Sequence, residues 1–334
     1  MKIIPIFLIG FLLLLGCKVT SQGTQTNAKK TKANRTVPKS MESTSIKSET
    51  RTSNEYFQFL EYNKNGKLVF DKNDDLNTGV TMIRASEYDP ADREIKLYTV
   101  HSNFGFFLTE KEYGKNQIKS WSYTTTAIKK KSYDSQNLKN INTREELINM
   151  EAFSDLKSGI KYLAKLEKLD SEGNVIEQVI LTEKGDTSSI NTFKYNANNK
   201  EISFHKRDPK SEFWSWDIFK LYDEKSNLIQ SFRVSIGSLK DTIERHNNIY
   251  EGDFLKSKDY YYRGQFQNKT TYNYNLDGYM TEELFYEKEE NEIKVRKTYR
   301  YNRKGNIMEE SKDDYRKNSK LQKSKTEFTY EYFR

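Results

Sequence analysis

Apolar and polar residues alternate through most of the chain beyond residue 52, and short polar turns interrupt the alternation at regular intervals. The repeated unit is an aromatic residue, then Asn or Asp, then two or three polar residues and an apolar one. Alternation puts every second side chain on one face of a strand, as for Tyr299 and Tyr301 or Phe193 and Tyr195. The pattern predicts β-hairpins whose strands are about eight to ten residues long.

The turn chemistry of the unit can be interpreted directly. Asn or Asp at the first turn position caps the turn backbone with its own side chain. Glycine three residues later accepts the left-handed conformation that ends such a turn with a bulge. The complete copies are Tyr62, Asn63 and Gly66; Tyr274, Asn275 and Gly278; and Tyr301, Asn302 and Gly305. A fourth copy, Leu169, Asp170 and Gly173, has Leu in the first place, and looser copies begin at Tyr88, Tyr113, Tyr133, Tyr195 and Tyr222.

The spacing of these copies indicates one repeating structure. Tyr62 and Tyr88 are 26 residues apart, Tyr195 and Tyr222 are 27 apart, and Tyr274 and Tyr301 are 27 apart. We therefore predict an all-β fold, an antiparallel meander of repeated β-hairpins with a period of about 26–27 residues and roughly eight or nine hairpins. Whether the sheet is flat, curled or closed does not follow from the period.

The Tyr-Asn/Asp-x-x-Gly unit resembles the YD repeats of RHS-type proteins, and the likeness covers most of residues 55–334. The resemblance implies strand-turn-strand units like those that form β-sheet shells or curled sheets in that family. Several copies lack the glycine or replace the tyrosine, and the array is short for an enclosing shell. An encapsulating role is therefore not carried over.

One segment departs from the strand pattern. Thr143 and Glu146 match a capping box, and Leu147, Phe153 and Leu156 recur near helical spacing. We predict one short inserted helix over about 144–157, which covers a face of the sheet.

The N-terminus has the pattern of an exported lipoprotein. Lys2 precedes an apolar run from Ile3 to Leu15, which is too short to span a bilayer and typical of a signal peptide. Leu14-Leu15-Gly16-Cys17 resembles a bacterial lipobox, which implies cleavage after residue 16 and lipidation of Cys17. Lys18 rather than Asp follows the cysteine, so we expect a lipid-anchored envelope protein, with the outer membrane favoured over the inner and the leaflet left open.

Residues 17–52 are rich in Ser, Thr, Asn, Gln and Lys, which predicts a disordered basic tether, and residues 53–334 then form the repeat domain. The tether carries eight basic and two acidic side chains, whereas the domain carries 47 basic and 46 acidic ones. The pI of about 9.0 therefore does not reflect a basic domain surface, and we expect no nucleic-acid partner. The tether is either attracted to anionic headgroups or a plain spacer.

The composition favours sheet over disorder but supplies little site chemistry. Charged residues make up 31% of the chain, yet it holds 23 Tyr and 19 Phe, which disordered segments lack. No catalytic residue, metal ligand or cofactor is predicted. Asp71 to Asp75 has the spacing of a calcium-loop start, but Leu76 stands where glycine is needed. Two Ser-x-x-Lys matches, at Ser154 and Ser158, lack their companion motifs.

Aromatic residues give the best indication of binding. Trp214 and Trp216 would point the same way on a strand, and Tyr260 and Tyr262 follow nearly two periods later. Such platforms stack on sugars or anchor proteins, although packing against the helix or another layer is the commoner role. We favour a non-enzymatic binding or scaffold module for a glycan or envelope protein. The alternatives are an envelope-polymer hydrolase with unrecognised carboxylates and a purely structural spacer.

Overall fold

The computed structural model describes residues 46–123, 138–236, 242–287, 292–316 and 321–332. Within these ranges the chain forms twenty strands and two short helices, α1 (Arg144–Ile148) and α2 (Glu151–Lys157). The first ten strands are β1 (Ile46–Thr52), β2 (Tyr56–Tyr62), β3 (Leu68–Asp75), β4 (Thr81–Tyr88), β5 (Glu94–His101), β6 (Gly105–Tyr113), β7 (Gln117–Tyr123), β8 (Lys161–Leu169), β9 (Val175–Leu181) and β10 (Thr187–Tyr195). The remaining ten are β11 (Glu201–Arg207), β12 (Trp216–Tyr222), β13 (Leu228–Ser235), β14 (Thr242–Glu251), β15 (Phe254–Tyr262), β16 (Gln265–Tyr274), β17 (Met280–Glu287), β18 (Ile293–Tyr301), β19 (Ile307–Asp314) and β20 (Gln322–Tyr332).

The strands form one closed antiparallel barrel. Each strand pairs with its neighbours in sequence, and β1 also pairs with β20, which closes the sheet on itself. The predicted all-β antiparallel meander of hairpins is confirmed. Closure removes both free edges of the sheet, and an open edge would be a site for pairing with other chains.

The Asn- or Asp-led turns of the repeat, which follow even-numbered strands, lie at one end of the barrel, which we call the turn rim. At Asn63 the side-chain oxygen accepts hydrogen bonds from the backbone N–H groups of Asn65 and Lys67, and Gly66 has a φ of 74°. Asn275 and Asn302 make the same bonds to the residues two and four positions later. The opposite end, the loop rim, carries connections that vary more in length.

A tyrosine at or near the end of many even-numbered strands links neighbouring strands by a hydrogen bond at the turn rim. Its hydroxyl donates to the carbonyl oxygen of the first or second residue of the preceding strand, at 2.6–3.0 Å. The seven tyrosines that do so are Tyr88, Tyr113, Tyr195, Tyr222, Tyr274, Tyr301 and Tyr330. They share one face of the sheet, so the tyrosine of the repeat joins adjacent hairpins.

The boundary of the repeat domain is corrected at its N-terminal end. Residues 46–52, predicted to belong to the tether, form β1 and lie between β2 and β20. This strand holds a single apolar residue, Ile46, so it has no amphipathic pattern, and its strand conformation depends on the two neighbours that it pairs with. The signal peptide, Cys17, residues 18–45 and the repeat copy at Tyr133 lie outside the described residues.

The predicted helix forms as two short helices. The Thr143 side chain accepts from the Glu146 N–H, and the Glu146 carboxylate accepts from the Thr143 N–H, which completes the capping box. The break at Asn149 and Met150 has a geometric cause. In one continuous helix Leu147 and Leu156 would lie about 180° apart, whereas the break turns both towards the sheet, where each is at most 1% exposed.

The principal apolar core lies between these helices and strands β3–β6. Tyr98 packs edge-on against Phe153 at 5.1 Å, and Phe106 packs edge-on against the same ring at 5.5 Å. Members of this core are Phe70, Ile83, Ala85, Tyr98, Val100, Phe106, Leu108, Leu138, Ile141, Leu147, Ala152, Phe153 and Leu156. The strand residues in it point away from the face that carries the seven tyrosines.

Candidate functional site

Ion pairs distinguish the two faces of the barrel wall. On the face that carries the tyrosine row, the paired Lys and Arg side chains are 20–33% exposed. On the other face, away from the helices, they are 39–74% exposed, apart from Lys294 at a bulge of β18, which is 23% exposed. Side chains converge on the concave side of a curved sheet and splay apart on the convex side. We therefore assign the tyrosine face as the inner face and the helix-covered face as the outer face.

An aromatic cluster lies on the inner face where β11, β12 and β13 meet the loop rim. The Lys206 ammonium lies 4.3 Å from the centre of the Trp216 ring, and the Arg233 guanidinium lies 5.5 Å from it. Burial lowers the pKa of Lys206. A cation held against an indole face is a common way to present aromatic and charged groups together.

The cluster continues across β14 and β15. Arg233 forms a 3.1 Å ion pair with Glu244, and Glu244 stands opposite Tyr262 in the strand register. Burial is the main cause that raises the pKa of Tyr260, and the charge of Glu244 adds to it. Trp216, Tyr260 and Tyr262 therefore lie on the same inner face, with the Arg233–Glu244 pair between them.

A cavity of about 260 Å³ opens beside this cluster. His246 and Tyr260 stack at its wall, with ring centres 4.8 Å apart and planes inclined by 23°. The lining residues are His246, Lys258, Tyr260, Asn268, Thr270 and Tyr272, which come from three consecutive strands. The walls thus combine aromatic surface with amide, hydroxyl, imidazole and ammonium groups.

Two groups in the cavity wall lack partners. Within the described residues, no carboxylate lies within ion-pair distance of the Lys258 ammonium, although many other lysines of the barrel are paired. The Nδ1 atom of His246 is buried without a hydrogen-bond partner. Burial, with a contribution from the nearby Lys258 charge, lowers the pKa of His246, so the imidazole is neutral near pH 7.

Trp214 does not lie on a strand with Trp216, so that expectation is corrected. It ends a 3₁₀ turn, Glu212–Trp214, on the loop rim and packs edge-on against Phe213 at 5.0 Å. The Asp208-Pro209 dipeptide is the sequence signal for this loop, and the Asp208 side chain accepts from the Lys210 N–H.

Sequence reasoning missed Arg233, Glu244, His246 and Lys258. The repeat period could have found two of these residues, because His246 and Tyr272 are 26 residues apart and Arg233 and Tyr260 are 27 apart. Residues one period apart lie on the same face of alternate strands. The calcium-like segment from Asp71 belongs to β3, where Asp71 pairs with Arg84.

Ser203, His205 and Asp217 form a hydrogen-bonded series on the outer face. His205 Nδ1 is 2.8 Å from Asp217 Oδ1, and His205 Nε2 is 3.1 Å from Ser203 Oγ. The order matches a catalytic triad. However, Ser203 is only 5% exposed. Its strand pairs with a neighbour on each side, so the peptide groups around it are used in the sheet. Arg207 also donates a hydrogen bond to Asp217 Oδ1. The series lacks the free backbone donors of an oxyanion hole and is interpreted as structural.

The described residues hold neither a clustered metal-ligand set nor a helix suited to span a membrane. No group of three or more His, Cys, Asp or Glu side chains there is arranged to hold a metal ion. Neither helix in these ranges has the length and apolarity that a membrane-spanning helix requires.

Comparison with known proteins finds no family model and no curated protein that matches the chain. Solved structures that are similar include a porin-like protein from Bacteroides uniformis, with a TM-score of 0.32 and 9% identity over 86% of this chain and 98% of that one. A porin-like protein from Bacteroides vulgatus has a TM-score of 0.29 and 10% identity, with 86% and 98% covered. TcdB2-TccC3 without its hypervariable C-terminal region has a TM-score of 0.41 and 13% identity over 83% of this chain and 13% of that one. At such scores the likeness establishes neither family nor function.

Proposed function

We propose that this chain is a lipid-tethered envelope protein whose barrel binds a ligand at the inner face of β11–β16 and has no catalytic role. The contiguous patch from Lys206 and Trp216 through Arg233 and Glu244 to the cavity beside Tyr260 carries the proposal. It combines half-buried aromatic rings with hydrogen-bonding groups, which is the composition of sites that bind glycans and protein side chains.

Charged side chains on both faces of the wall support attachment by a lipid rather than by the strands. Lys297 and Glu310 pair on the inner face, and Arg300 and Glu309 pair on the outer face of the same two strands. A lysine or arginine on the lipid face of a barrel costs about 2–4 kcal/mol at the bilayer midplane. A wall with charges on both sides is compatible with water on both sides.

The N-terminal segment supplies the attachment in this proposal. Cys17 carries acyl chains, each buried methylene of which contributes about 0.8 kcal/mol. Residues 18–45 then link the anchor to β1, whose first residue, Ile46, lies at the turn rim. As a coil this link spans roughly 30 Å on average, and it joins the barrel at the turn rim, the end opposite the aromatic cluster.

Binding is tested with the full chain on a glycan array and against purified envelope proteins, using two tryptophan variants. Trp216→Ala removes the centre of the inner cluster and should weaken binding by at least about tenfold, as for a residue that anchors an interface. Trp214→Ala, on the loop rim and outside the cavity, is the matched control and should bind like the parent.

Two outcomes contradict the proposal. One is a folded barrel that retains no glycan and no envelope protein. The other is binding that Trp216→Ala leaves unchanged. Circular dichroism of both variants establishes that the sheet is intact before binding is compared.

A further inference from the structure

We infer that the cavity beside Tyr260 binds an acidic sugar, with the carboxylate of the sugar at Lys258. This inference rests on the proposed binding function and specifies its ligand class. A sugar residue offers a flat C–H face, several hydroxyls and, in a uronic acid, one carboxylate. The cavity wall presents a partner for each.

The ammonium of Lys258 is the group that selects for charge. Several other lysines of the inner face are balanced by carboxylates, as Lys220 is by Glu201 at 2.7 Å and Lys111 is by Glu94. Lys258 stands opposite Asn248 on β14 and Thr270 on β16, and both of these neighbours are neutral. Lys258 is exposed, so its ammonium is accessible to a ligand. A cation without a counter-ion is favourable for a ligand carboxylate, since charge-assisted hydrogen bonds are roughly twice as strong as neutral ones.

The remaining wall fits the neutral part of a sugar. Asn268 and Thr270 on β16 supply an amide and a hydroxyl for sugar hydroxyls. Tyr260 and Tyr272 supply ring surface, and the unpartnered Nδ1 of His246 is available for one further hydrogen bond. The volume of about 260 Å³ is slightly below the usual range of pockets for drug-sized ligands, so we assign it to a single sugar unit.

The aromatic cluster nearer the rim provides for neighbouring units of a chain. Trp216, flanked by Lys206 and Arg233, lies on the same inner face four strands from β16. A polymer with repeated acidic units would meet a second cation there, the ammonium of Lys206. Among the described partners this ammonium contacts only the indole ring, whereas the neighbouring Arg233 is already paired with Glu244. Binding should therefore increase with oligomer length.

The test uses tetramers of galacturonic acid and of glucuronic acid, with their methyl esters as uncharged controls, titrated into the full chain by calorimetry. We expect at least one acid tetramer to bind and its ester to bind at least about tenfold more weakly. Lys258→Met should weaken binding of the acid by about tenfold or more and leave the ester unaffected. Lys323→Met, on the outer face and 70% exposed, is the matched control and should change neither.

Several results would overturn the inference. Equal binding of acid and ester, or an acid that binds Lys258→Met as tightly as the parent, excludes a carboxylate at Lys258. Competition by poly-glutamate as strong as by the acid tetramer assigns the site to acidic peptides instead. Neutral glycans on the array could bind the parent chain but not Trp216→Ala, while neither uronic-acid tetramer binds. In that case the inferred sugar class is wrong, but the proposed binding function stands. If no ligand binds at all, the proposed function itself has failed.

Discussion

The Tyr195 hydroxyl donates a 2.9 Å hydrogen bond to the carbonyl oxygen of Val175, the first residue of the preceding strand. The same bond recurs at six other tyrosines, including Tyr222 to Glu201 and Tyr301 to Met280. The tyrosine of the repeat therefore has a structural role that its ring alone would not show. It satisfies a carbonyl at the turn rim and joins one hairpin to the next.

Tyr195→Phe should lower the free energy of unfolding by about 1 kcal/mol, because the ring remains while a partly buried carbonyl loses its donor. Urea denaturation followed by circular dichroism measures the change. Tyr315→Phe is the control, since Tyr315 is exposed and its hydroxyl makes no hydrogen bond within the described residues. Equal stability of the two variants would show that the hydroxyl bond contributes nothing.

Stability should fall steeply at alkaline pH. Burial raises the pKa of Tyr195, Tyr62 and Tyr272 to about 12, against about 10 in an unfolded chain. A raised pKa means that the folded state keeps the proton more tightly than the unfolded chain does. The contribution of these protonated tyrosines to the free energy of unfolding is therefore complete below pH 10 and is lost as the pH rises through 12. Denaturant unfolding measured at pH 8 and pH 11 tests this prediction, and tyrosinate absorbance shows how far the tyrosines have ionised. A free energy of unfolding that is the same at both values would contradict the prediction.

Barrel closure should depend on β1. Thr50 lies within that strand and pairs with Phe59 on one side and Thr329 on the other. Thr50→Pro removes a backbone donor between two ladders, which should expose the edges of β2 and β20 and promote self-association. Sedimentation velocity should show larger species than in the parent, with a lower melting temperature.

Thr31→Pro is the matched control for β1, because it places the same substitution in the predicted tether. It should leave both the melting temperature and the sedimentation profile unchanged. A Thr50→Pro chain that sediments and melts like this control would mean that β1 is not required for closure.

The Ser203–His205–Asp217 series should be chemically inert. A fluorophosphonate probe reacts with an activated serine, but the hydroxyl here is buried and has no oxyanion hole beside it. We expect no labelling of the parent chain beyond that of Ser203→Ala, as measured by intact-protein mass spectrometry. Labelling that the Ser203→Ala substitution abolishes would support the hydrolase alternative.

Much of the fold was readable from the sequence because the turn chemistry is local. The Asn63 and Asn275 side chains cap backbone groups within four residues of themselves, so the motif predicts the turn regardless of the rest of the chain. The capping box of Thr143 and Glu146 is local in the same way. The inserted helix was predicted as one piece because a linear pattern does not show which of its apolar residues must face the sheet.

The candidate site was only partly predictable. Trp216, Tyr260 and Tyr262 lie on one face, as a two-residue strand period implies, but Trp214 precedes the strand and lies on the rim. His246 and Lys258 looked like scattered residues. Their importance depends on which side chains stand opposite them on neighbouring strands, and that register is set by turn lengths and bulges together.

The sequence by itself determined the hairpins, their turns and their period, since each depends on residues within about one repeat of one another. Tertiary structure alone decided that the sheet closes, which face is concave and that Ile46–Thr52 is a strand. Closure pairs residues almost 300 positions apart, as in the hydrogen bond from Ser48 to Glu331, and no local preference encodes it. A polar segment such as β1 becomes a strand because two neighbouring edges offer it hydrogen-bond partners on both sides.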